Sequence, residues 1–66
     1  MASNLEKLRC AERELRYRMR VYPGRVAAGK MTEQEAQRQI TLMEEIANDY
    51  RRAAEREPMP LFNKVR

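Results

Sequence analysis

A chain of 66 residues, with 42% apolar residues, three tyrosines, one phenylalanine and a net charge of +4, has room for one thin-cored domain at most. A single cysteine and no histidine exclude an intramolecular disulfide and the usual zinc ligand sets, which leaves oligomerisation as the staple open to so small a domain. No apolar run approaches membrane-spanning length and the N-terminus lacks a signal-peptide core, so the expectation is a soluble, cytoplasmic chain.

Ser3 and Glu6 match the S/T-x-x-E capping box, and the spacing predicts a first helix over about residues 4–28. Leu5, Leu8, Glu12, Leu15, Met19, Tyr22 and Val26 recur at alternating steps of three and four, the seam of a helix packing at a shallow angle on a neighbour. Glu12 is the odd member, and Ala11 beside it is the alternative contact. Pro23 lacks an N–H, clashes with the carbonyl four residues back and disfavours helical geometry at Tyr22, while Gly24 weakens the helix further. Because Val26 keeps the seam in phase, the prediction is a kink at Pro23 and a short final segment; a helix stopping at Pro23 is the alternative.

Ala28-Gly29-Lys30-Met31 reads as a helix ending on a left-handed Gly29 and restarting almost at once. Thr32 and Glu35 form a second capping box, which predicts a second helix over about residues 33–57 with Met31 and Ala36 as a hydrophobic staple. Its seam is Ala36, Ile40, Met43, Ala47, Tyr50 and Ala54. Glu33 and Glu35 come early and Arg51, Arg52 and Arg56 late, which suits the helix dipole, and Glu57-Pro58 ends the helix. The fold class is therefore all-α: residues 1–57 as an antiparallel helical hairpin, then residues 58–66 as an extended or disordered tail. Within that tail Met59, Leu61 and Phe62 either cover the open end of the hairpin or anchor the chain in a partner's groove, with Lys64 and Arg66 adding charge attraction.

Charge is divided unevenly between the two arms. Residues 1–30 carry eight Lys/Arg against three acids, and residues 31–57 carry four against seven, so an antiparallel pairing sets a basic arm beside an acidic one.

Each helix also has apolar residues beyond its seam. Cys10, Tyr17 and Val21 lie roughly opposite the first seam, and Leu42, Ile46 and Ala53 lie beside the second. Long amphipathic helices leave some apolar residues exposed, but a domain this small favours a homodimer, two hairpins joined as a four-helix bundle through Tyr17, Val21, Leu42 and Ile46. A third stripe is charged. Arg9, Arg13, Arg16 and Arg20, at steps of four, three and four, form a ridge flanking the first seam, suited to phosphates along a nucleic acid or to the carboxylates of an acidic protein. The alternative is a solvated face partly paired with Glu6, Glu12 and acids of the second helix.

Catalytic chemistry has little to work with. Without His, a general base would be a carboxylate or Lys in a pocket that a hairpin does not obviously provide, so no enzyme, cofactor, metal or small-molecule substrate is expected. Cys10, close to Arg9 and Arg13, lacks a base to make it a nucleophile. Gly24, Gly29 and Lys30 do not make a phosphate loop, and Glu44, Glu45 and Asp49 lack the loop geometry of a calcium site.

The stretch Arg20-Val21-Tyr22-Pro23-Gly24-Arg25-Val26-Ala27-Ala28-Gly29-Lys30-Met31, of pattern R-x-Y-P-x-x-V-A-x-G-K-M, and the later M-x-x-I-x-x-D-Y ending at Asp49-Tyr50 resemble a family of very small bacteriophage and prophage proteins, mostly without assigned function. The resemblance covers about half the chain and implies a phage setting inside a bacterial host, not an activity. Together with the residues, it sets the expectation: a non-catalytic, phage-type interaction protein that binds and modulates or inhibits a bacterial host protein or complex. The arginine ridge is its expected contact surface. The alternative is a small nucleic-acid-binding accessory protein using the same arginines.

Overall fold

Each helix starts where one side chain satisfies backbone groups that a helix cannot satisfy itself. The Ser3 hydroxyl accepts from the Glu6 N–H at 3.1 Å while the Ser3 N–H donates to Glu6 Oε1 at 2.9 Å. Thr32 and Glu35 repeat the arrangement at 3.0 and 2.9 Å. In the computed structural model, which describes residues 1–57, these caps open α1 (Asn4–Ala27) and α2 (Glu33–Arg56), and the two pack together as a hairpin. Among the described residues there is no strand. The expected tail and its anchors Met59, Leu61 and Phe62 lie outside them.

α1 runs unbroken through Pro23, so the shorter first arm that a proline stop would leave does not occur. Pro23 has no N–H to offer the Met19 carbonyl, and Met19 is 53% exposed, so water can reach that turn. The helix ends in a Schellman arrangement. Gly29 takes φ +76, its N–H donates to the Val26 carbonyl at 3.0 Å, and the Lys30 N–H donates to the Arg25 carbonyl at 2.9 Å. α2 ends differently, on Glu57 in extended backbone, as a residue before a proline prefers.

Cross-helix bonds fix the antiparallel register. Asn4 Nδ2 donates to Glu57 Oε2 at the open end, Arg51 Nη2 meets Glu12 Oε2 at 2.8 Å, and Arg18 Nη1 donates to the Gln39 carbonyl at 2.9 Å. The core between them is small: Leu8, Ala11 and Ala47 are buried together, with Met43 and Tyr50 packed on them, and Ala36 is buried nearer the turn.

One expectation is corrected here. The seam of α1 contains Leu8, Leu15, Tyr22 and Val26, and Ala11 replaces Glu12 as the alternative contact expected there, but Leu5 and Met19 are exposed and Arg18 is drawn inward. The cause is Glu12: a carboxylate in the contact would be costly to desolvate. Turning α1 toward Ala11 puts small residues at the closest approach and moves Glu12 to the edge, within reach of Arg51.

Candidate functional site

Three surfaces follow from this packing. The first is the arginine ridge, whose relation to the rest of the molecule changes once α1 is turned. At about 100° per residue, Arg9, Arg13, Arg16 and Arg20 fall within a sector of about 60°, roughly 150° round α1 from the middle of its buried face. The expectation of a ridge flanking the seam is therefore corrected: it is the outer back of α1, and α2 stands behind it. From Arg9 to Arg20 the ridge runs roughly 16 Å at about 1.5 Å per residue.

All four arginines are exposed, and none forms an ion pair among the described residues. Three of the carboxylates that could pair with them are engaged elsewhere. Glu6 closes the α1 capping box, Glu12 holds Arg51, and Asp49 of α2 holds Arg52 at 2.6 Å. Arg20 stands 5.9 Å from the Tyr17 ring centroid, a cation–π contact on the flank of the ridge.

The second surface is an apolar groove of about 360 Å³ along one side of the hairpin, lined by Lys7, Cys10, Ala11 and Glu14 from α1 and Met43, Ile46 and Tyr50 from α2. Ile46 is 41% and Tyr17 39% exposed, while Val21 and Leu42 are half-buried. By helical phase all four stand on the groove side, so the residues expected to join a second copy share one side of the hairpin. The exposed Cys10 thiol lies in the same groove.

A charged pair within this side escapes the apolar pattern of the sequence. Arg18 Nε bonds Glu14 Oε2 at 2.9 Å, and the Arg18 side chain is only 18% exposed, its stem lying across the helix pair toward Gln39. The i,i+4 spacing of Glu14 and Arg18 was the available signal.

The third surface is a notch of about 280 Å³ near the turn, on the opposite side, lined by Tyr22, Pro23, Val26, Glu33, Ala36, Gln37 and Ile40. Its sequence signal is the break in side-chain bulk at Ala36 beneath Pro23. Among the described residues no group of three or more His, Cys, Asp or Glu side chains is placed to hold a metal ion, and no helix is long and apolar enough to cross a membrane. The chain matches no family model, no curated protein and no solved structure.

Proposed function

We propose that this hairpin is a non-catalytic interaction protein that works as a pair of copies. The observation that carries the reading is one side of the hairpin, where Cys10, Ala11, Met43, Ile46 and Tyr50 line an open groove that one pair of helices leaves uncovered, with Tyr17, Val21 and Leu42 on the same side by helical phase. A second copy supplies the same apolar side and completes a four-helix bundle, the stabilisation that the four buried hydrophobic residues among those described do not provide alone. Pairing there leaves both arginine ridges outward. In the phage setting that the R-x-Y-P-x-x-V-A-x-G-K-M motif suggests, the outward surface engages an anionic macromolecule or complex of the bacterial host and modulates it.

Light scattering on a size-exclusion column tests the pairing. The expected mass is twice 7.9 kDa. Leu42→Glu with Ile46→Glu should return the mass to one chain, with helical circular dichroism retained at protein concentrations that support folding. A wild-type monomer across the concentration range ends the proposal.

A further inference from the structure

The ridge is a surface without an apolar centre. Protein partners are held mainly by anchors set in a well-packed, largely apolar centre inside a rim that excludes water. Between Arg9 and Arg20, the outer sector of α1 offers charge alone, and Tyr17, the nearest aromatic, lies on its flank beneath Arg20. A polyanion needs no such centre. Arginines that neutralise phosphates displace condensed counterions, and that release supplies the free energy that apolar burial would supply elsewhere.

Two features decide which polyanion fits. Single strands are bound by stacking bases on aromatic side chains; the ridge's span holds one aromatic residue, Tyr17, which stands off its sector and is covered by Arg20, so no row of aromatics accompanies the arginines and the fit is to a duplex. The ridge is straight and convex. A helix of about 10–12 Å diameter enters the major groove of B-DNA, about 12 Å wide, whereas the major groove of duplex RNA is too deep and narrow. Because α2 stands roughly 150° round α1 from the ridge, α1 can enter with its partner helix behind it, clear of both groove walls.

We infer that α1 binds duplex DNA, presenting the Arg9, Arg13, Arg16 and Arg20 ridge to the major groove with its guanidinium groups on the phosphates that border it. The inference rests on the reading of the chain as an interaction protein and names the chemistry of its partner. Among the described residues none of the four arginines is held by a carboxylate, so their charge is open to the phosphates. Contacts to phosphate carry no sequence information, so binding through them is sequence-tolerant and strongly salt-dependent.

The test is fluorescence anisotropy of the full chain with a labelled 20-base-pair DNA duplex of mixed sequence, from low to moderate salt. The expected slope of log K against log salt is about −3.6 or steeper, at about −0.9 per phosphate neutralised by four arginines. Arg13→Ala with Arg16→Ala should weaken binding and take away about half of that slope, with helical circular dichroism and solution mass unchanged. No binding to the duplex at low salt overturns the inference, as does an unchanged slope in the double variant. Equal binding of the matching RNA duplex overturns the major-groove placement, and tighter binding of polyglutamate than of DNA overturns the inference in favour of an acidic protein. The mass measurement, not the anisotropy, decides the pairing of copies, so the two proposals fail separately.

Discussion

α1 and α2 are each 24 residues long and each opens on a capping box, but they meet their shared contact in different ways. α2 presents Ala36, Ile40, Met43, Ala47, Tyr50 and Ala54, an unbroken row of buried or half-buried apolar side chains. α1 has a carboxylate in the corresponding row. It avoids burying Glu12 by turning, and the turn leaves Leu5 45% and Met19 53% exposed while bringing Ala11 and the stem of Arg18 inward. A single charged residue thus decides which way the whole first helix faces. It also decides that the arginine ridge points directly outward.

Substitutions along α1 can break this comparison, and the largest effect is expected at Leu8. Leu8→Ala removes the one large side chain in the buried cluster and should cost about 2–5 kcal/mol, whereas Leu5→Ala, in the same apolar repeat, should cost less than about 0.5 kcal/mol. Urea unfolding of both at one protein concentration measures the difference; similar losses would return α1 to the orientation its apolar repeat suggests. A smaller effect separates the helix ends. Gly29→Ala should cost about 1–2 kcal/mol, because a β-carbon at φ +76 is strained even though nothing lies within 4 Å of it, so the loss is conformational alone. Thermal unfolding followed by circular dichroism reads it. The smallest effect sharpens the role of Glu12. A double-mutant cycle of Glu12→Gln and Arg51→Gln should give a coupling of about 0.2–1 kcal/mol that shrinks with added salt, since both side chains are partly exposed. A coupling of zero would leave the avoidance of a buried charge, without any gain from Arg51, as the reason α1 turns.

The local devices were readable from the chain because they depend on neighbours in sequence. Ser3 with Glu6, Thr32 with Glu35 and a left-handed Gly29 are decided within a few residues, and so is the pairing of two helices across a short connection. The seam of α2 was legible for a related reason: its alanines and larger residues keep one phase from end to end. What the chain did not disclose was the orientation of α1. Its apolar repeat at Leu5 and Met19 competes with the desolvation of Glu12, and the outcome shows only in the packed pair, where Glu12 lies at the edge within reach of Arg51, far away in sequence. The ridge inherited that uncertainty. Its four residues and their spacing were plain, but its angle to α2 and the diversion of Glu6 and Glu12 to other partners required the assembled pair.

The connection from Ala28 to Thr32 has a further consequence, for the order in which the molecule comes together and apart. So short a link makes closure of the hairpin entropically cheap and keeps its contacts local, which places such folds among those that form in microseconds to milliseconds. At the turn, Gly29 and the Thr32 cap hold both helix ends. The opposite extremity is joined by the hydrogen bond from Asn4 to Glu57, in solvent. Opening therefore begins there and travels inward, and amide protons near Asn4 and Arg56 exchange first while those around Ala11 and Ala47 wait for the whole hairpin to part.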